Sequence, residues 1–82
     1  MKTFNAVVRV VLKKGVLDPQ GKAIEGALDS LGFEGVQQVR QGKTFDVVLN
    51  AETKIAAEES LADMCEKLLA NTVIEDYSIT VS

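Results

Sequence analysis

The amino-acid sequence predicts an α+β fold in one domain that spans residues 1–82. Two observations carry this prediction: apolar residues alternate in runs at both ends of the chain, and a well-marked helix start lies at Asp18 and Pro19. The chain has 82 residues, of which 46% are hydrophobic, and this composition suits a small globular core. The elements then follow in chain order.

Residues 4–12 are predicted to form the first strand. The residues on one face are all apolar, and helices are expected to pack there: Phe4, Ala6, Val8, Val10 and Leu12. The opposite face is mixed, because Val7 and Val11 alternate with Asn5 and Arg9. The strand therefore predicts a sheet with one buried face and one partly apolar outer face.

The first helix is predicted to begin after Asp18, whose carboxylate can cap the first free amides. Pro19 then occupies the first helical position, where its missing N–H has no consequence. An apolar stripe follows at helical spacing: Ile24, Ala27, Leu28 and Leu31. Gly32 is expected to end the helix in the left-handed conformation.

The rest of the chain predicts two strands, a helix and a final strand. Residues 36–40 are read as a short second strand, with a turn at residues 41–42 and a third strand over residues 43–50. Thr53 is the candidate N-cap of a second helix that runs to about Ala70, where Asn71 is expected to end it in the left-handed conformation. The last strand places Tyr77, Ile79 and Val81 on one face. This β-α-β-β-α-β order, with two helices on one face of an antiparallel sheet, is the ferredoxin-like plan.

The outer face of the predicted sheet suggests self-association. Exposed apolar surface on a small domain often marks an interface. The residues expected there are Val7, Val11, Val48 and Ile74.

Several functional classes are disfavoured by composition. The chain has no histidine and one cysteine, so it lacks the usual general base and a transition-metal ligand set. Cys65 lies on the apolar stripe of helix two and is interpreted as a core thiol. The net charge of −3 argues against nucleic acid. No apolar run is long enough for a membrane span, and a cytoplasmic location is expected.

Two short motifs leave their roles open. Arg40 and Lys43 flank Gly42, which fits either a solvated hairpin tip or a docking point for an acidic surface or a phosphate. Gly21 lies in the first turn of helix one, which suggests either a close approach by another group or a packing accommodation.

Residues 35–40 resemble the phosphate loop of acylphosphatases only loosely, because no helix follows them.

Three segments together resemble the PurS family, the small subunit of phosphoribosylformylglycinamidine synthase. They are VLDPQG at residues 16–21, VRQGK at residues 39–43 and MCEKLLANTVIEDY at residues 64–77. The resemblance covers essentially the whole chain. It implies a PurS-like fold and a non-catalytic role in a ligase of de novo purine synthesis, in the conversion of formylglycinamide ribonucleotide to its amidine.

The same resemblance implies partners and contact residues. The expected partners are a large synthetase subunit (PurL-type), which uses ATP and Mg²⁺, a glutaminase subunit (PurQ-type), and further copies of the chain in a dimer or tetramer. No cofactor is expected on the chain itself. The residues assigned to partner contact are Asp18, Pro19, Gln20, Gly21, Arg40, Gly42 and Lys43. The alternatives are a small-molecule-sensing module of the ACT type and a small hydrolase such as an acylphosphatase.

Overall fold

The computed structural model describes all 82 residues. Three strands form one antiparallel sheet in the order β2-β1-β3, with β1 at Lys2–Leu12, β2 at Gly42–Ala51 and β3 at Glu75–Val81. Val8 of the central strand lies opposite Phe45 of β2 and Ile79 of β3. The predicted α+β class and the antiparallel sheet are therefore confirmed.

The core lies between the inner face of the sheet and one helix, α2, at Lys54–Met64. Ala6, Val8 and Val10 of β1 are buried, as their alternation predicted. Leu61 and Cys65 are completely buried against them. Thr53 caps α2 as predicted, because its side-chain oxygen accepts the Ala56 N–H at 3.1 Å.

The second helix ends differently from the prediction. A five-residue π-helical turn, Cys65–Leu69, follows α2, and the Ala70 N–H donates to the Cys65 carbonyl at 3.1 Å. This wider turn brings Ala70 into the core and leaves Leu68 84% exposed. Extended backbone at Ala70 ends the helix, so the predicted left-handed Asn71 is wrong. The Asn71 side chain instead accepts the Val73 N–H at 3.2 Å.

The first helix, α1, spans Pro19–Ser30, with Asp18 as its N-cap as predicted. Gly32 has φ +90°, and the Phe33 N–H donates to the Leu28 carbonyl at 3.0 Å, which is a Schellman ending. Residues 31–41 then lead from the end of α1 to β2. We call residues 13–41, which include α1, the arm.

The arm lies largely outside the core, which contains no residue of α1. The molecule measures 52 × 24 × 15 Å, and its radius of gyration is 16.4 Å, against about 12 Å for a compact chain of this length. The expectation that both helices cover one face of the sheet therefore holds for α2 only. Ile24 and Leu31 of the α1 stripe are 38% and 73% exposed, and neither belongs to the core.

The predicted second strand at residues 36–40 is absent, and this part of the prediction is wrong. Residues 36–40 are irregular. The strand β2 pairs with β1 and not, as the predicted hairpin required, with residues 36–40. The reason is that the Val39 and Gln41 amides donate to carboxylates of the arm, so they are unavailable for a strand ladder. The predicted hairpin is therefore replaced by a segment anchored on α1.

The outer face of the sheet has scattered apolar residues. Val7 and Val48 are 43% and 68% exposed, and they lie opposite Asp46 and Asn5 respectively. Val11 is half-buried, and Ile74 lies just before β3. A polar residue thus lies directly opposite each of these two valines. The self-association assigned to this face stays a prediction. No helix of the chain has the length and apolar character to cross a membrane.

Candidate partner-contact site at the base of the arm

Asp18 joins two segments of the arm. Its side chain is buried in spite of its charge, and the residue is only 6% exposed. One carboxylate oxygen, Oδ1, accepts the Gly21 N–H at 2.9 Å, and the other, Oδ2, accepts the Gln41 N–H at 2.6 Å. A single side chain therefore caps α1 and anchors the segment that leads into β2.

Gly21 is the point of closest approach between these two segments. A Cβ atom at this position would overlap the Val39 carbonyl oxygen and would lie 2.9 Å from Oδ2 of Asp18. The glycine in the first turn is therefore explained by a close backbone approach within the chain. It permits contact that any side chain would prevent.

Glu25 provides a second anchor one turn further along α1. Its Oε2 accepts the Val39 N–H at 2.9 Å, and its Oε1 lies 3.4 Å from the Lys22 Nζ. Sequence reasoning missed this residue. The available signal was its position four residues after Gly21, which puts both on the same face of the helix.

Arg40 is engaged within the chain. Its guanidinium donates to the Val16 carbonyl at 2.9 Å and to the Lys13 carbonyl at 3.1 Å, both in the connection between β1 and α1. The residue remains exposed. Arg40 therefore holds the base of the arm, and its role as a partner contact stays a prediction.

An open cleft of about 340 Å³ lies beside this base, between the start of α1 and the ends of the strands. Five of the seven predicted contact residues line it: Asp18, Pro19, Gln20, Gly42 and Lys43. Gly42 packs tightly, because a Cβ there would lie 2.7 Å from the Val10 carbonyl oxygen. The Lys43 ammonium lies 5.7 Å from the centre of the Phe45 ring. Gln41 and Glu75 complete the polar lining.

The two anchoring carboxylates are stabilised in their charged form. The Gln41 amide, followed by the Gly21 amide, lowers the pKa of Asp18 below its ordinary value of 3.8; burial opposes this shift, and the nearby charge of Arg40 adds to it. The Val39 amide lowers the pKa of Glu25 below its ordinary value of 4.5, against burial and with help from Lys22. Both groups therefore favour the ionised, anchored arm.

Acid is expected to release the anchors of the arm. Since both folded-state pKa values are lowered, the stabilisation is complete above the ordinary values of 3.8 and 4.5 and is lost as the pH falls through the lower folded values. The ¹H–¹⁵N resonances of Val39 and Gln41 should therefore shift together in an acid titration, before the sheet unfolds. Resonances that stay constant until global unfolding would contradict this expectation.

Cys65 is buried as predicted, and burial raises the pKa of its thiol, with Glu66 adding to the effect. It packs as part of the core. No three of the Cys, Asp and Glu side chains come close enough together to hold a metal ion.

These features define a class of protein: a small α+β chain in which buried or half-buried carboxylates anchor an arm beside an open cleft. The chain belongs to the PurS family, whose model, described as phosphoribosylformylglycinamidine (FGAM) synthase, matches residues 5–82. The PurS subunit of Mycobacterium leprae is 51% identical over 75 residues, which cover 92% of this chain and 91% of the relative.

Solved structures support the same assignment. PurS of Methanocaldococcus jannaschii is 44% identical with a TM-score of 0.86, and the match covers 96% of this chain and 95% of that chain. A chain in the structure of PurLQS from Thermotoga maritima is 34% identical with a TM-score of 0.90, and the match covers both chains completely. The expected PurS-like fold is therefore confirmed.

Proposed function

We propose that this chain is the small subunit of an FGAM synthase complex and bridges its synthetase and glutaminase subunits. The observation that carries the proposal is the full-length match to a chain of the Thermotoga maritima PurLQS structure, together with membership of the PurS family. The proposed role supports ammonia transfer for the ATP- and glutamine-dependent conversion of formylglycinamide ribonucleotide to its amidine. The large subunit would use the ATP and Mg²⁺. Nothing observed favours the sensing module of the ACT type.

The base of the arm is the proposed contact surface. Gln20, Gln41 and Lys43 are exposed beside the cleft, while the backbone beneath them is tied down by Asp18 and Arg40. Exposed polar side chains on an anchored backbone can meet a partner with little loss of conformational freedom. This explains how two of the family motifs, at residues 16–21 and 39–43, contribute to one surface although they are separated along the chain.

Reconstitution tests the proposal. Omission of this chain from a mixture with the large subunit and the glutaminase is expected to abolish amidine formation from glutamine, while activity with free ammonium is retained. Arg40→Ala combined with Lys43→Ala should weaken glutamine use and leave the circular dichroism unchanged. The matched control is Lys54→Ala with Lys67→Ala, which removes the same charge from exposed positions of α2 and the π-helical turn. Full glutamine use without this chain would refute the bridging role.

Self-association is part of the same proposal. Two sets of exposed apolar side chains are available to a second copy: Val7 and Val48 on the outer face of the sheet, and Ile24 and Leu31 on α1. We expect copies to associate through the sheet face and through α1, because association buries both sets. Sedimentation at micromolar concentration should show a dimer or tetramer. Val7→Ser with Val48→Ser and Ile24→Ser with Leu31→Ser should each lower the mass. A monomeric wild-type chain would exclude self-association.

A further inference from the structure

The segment at residues 33–41, which carries Arg40 and leads into Gly42 and Lys43, has no buried apolar side chain to hold it in place. Phe33 and Val36 are 58% and 44% exposed, and no residue between positions 33 and 41 is buried. The hydrophobic effect therefore contributes little to its position. Its conformation must come from polar contacts with the rest of the arm.

Each of the three successive residues 39–41 forms a hydrogen bond to another part of the arm. Val39 donates its amide to Glu25, and Gln41 donates its amide to Asp18. Between them, Arg40 reaches back to the Val16 carbonyl. Of these anchors, the Asp18–Gln41 bond is the shortest at 2.6 Å, and Asp18 is the most buried of the residues that form them.

We propose that Asp18 is a positioning residue, which uses its second carboxylate oxygen to hold residues 39–43 in the conformation that the partner subunits meet. Its first oxygen acts as an ordinary helix cap toward Gly21. Its second oxygen reaches 23 residues along the chain to Gln41, immediately before β2 begins. One side chain thereby links the first turn of α1 to the residue before β2. The consequence for assembly rests on the proposed function, whereas the geometry does not.

The chemistry of the side chain explains why a carboxylate is required. Two amides that approach from different segments need two acceptor oxygens, and only an ionised carboxylate offers both on one short side chain. An asparagine has an NH2 group, which cannot accept a hydrogen bond, in place of one of these two oxygens, so it cannot reproduce both bonds. A serine can still cap the helix through Gly21, but its one hydroxyl oxygen cannot also accept from Gln41.

Asp18→Asn and Asp18→Ser test the proposal in the full chain labelled with ¹⁵N. Both variants keep a side chain that caps helices well, so helical circular dichroism should be retained. Amide hydrogen exchange at Gln41 should accelerate by about tenfold or more, since a charge-assisted bond is lost. Asp29→Asn is the matched control. It makes the same chemical change on α1, where the Asp29 side chain is exposed, and should leave Gln41 exchange unchanged.

The assembly part is measured by reconstitution with the same variants. Asp18→Ser is expected to reduce glutamine-dependent turnover by at least about tenfold at limiting concentrations of this chain, with turnover from ammonium unchanged. Gln41 exchange at the wild-type rate in both Asp18 variants would overturn the proposal. Faster exchange with wild-type glutamine use would also overturn it. Failure of the bridging function itself would differ, because the wild-type chain would then not restore glutamine use.

Discussion

Leu61→Ala is expected to lower the free energy of unfolding by about 2–5 kcal/mol. Leu61 is completely buried in the single core of the molecule, where α2 packs on the central strand. Removal of its side chain leaves a cavity among Val8, Val10 and Cys65, which are also fully buried. Because a domain of this size has a small stability margin, the variant should be partly unfolded at physiological temperature.

The matched control for this experiment is Leu68→Ala. This variant has the same chemical change seven residues later in the chain. Leu68 lies in the π-helical turn, which places its side chain outward, and the residue is 84% exposed. Its effect should stay within about 0.5 kcal/mol. Urea denaturation at one fixed protein concentration measures both variants. Equal losses would show that the helix continues with regular α-helical spacing and that the π-helical turn is wrong.

Gly21→Ala is expected to disrupt the arm and to reduce assembly strongly. The new Cβ would overlap the Val39 carbonyl oxygen, so residues 39–41 would have to move away from α1. This movement would break the Glu25–Val39 and Asp18–Gln41 bonds. The gain in helix propensity, about 0.5–1 kcal/mol, is expected to be smaller than this loss.

Gly26→Ala separates the two effects on the same helix. A Cβ at position 26 meets nothing within 4 Å, so this variant should be stabilised by helix propensity and should assemble normally. Thermal unfolding and glutamine-dependent turnover with the partner subunits provide the two readouts. An increase in stability for Gly21→Ala like that of Gly26→Ala, with normal turnover, would contradict the close approach seen at Gly21.

The candidate site was only partly predictable from the sequence. Asp18 and Pro19 were correctly predicted as a helix start, because capping depends on residues that are neighbours in the sequence. The motif around Arg40 and Lys43 was identified, but residues 36–40, which include Arg40, were predicted to form a strand. The irregular segment there is stabilised by carboxylates that lie 14 and 23 residues earlier in the chain. Such pairings produce no periodic pattern, and sequence reasoning therefore assigned residues 36–40 to a short strand.

The amino-acid sequence by itself determined the strand faces, both helix starts and the burial of Cys65, since alternation, helical spacing and capping are local properties. It also identified the family through three motifs. Only the tertiary structure decided that α1 stands outside the core and that Leu68 faces outward. It also decided that Asp18 and Glu25 hold the segment before β2. These features depend on contacts between distant residues, and on a helical turn whose wider spacing shifts every side chain that follows it.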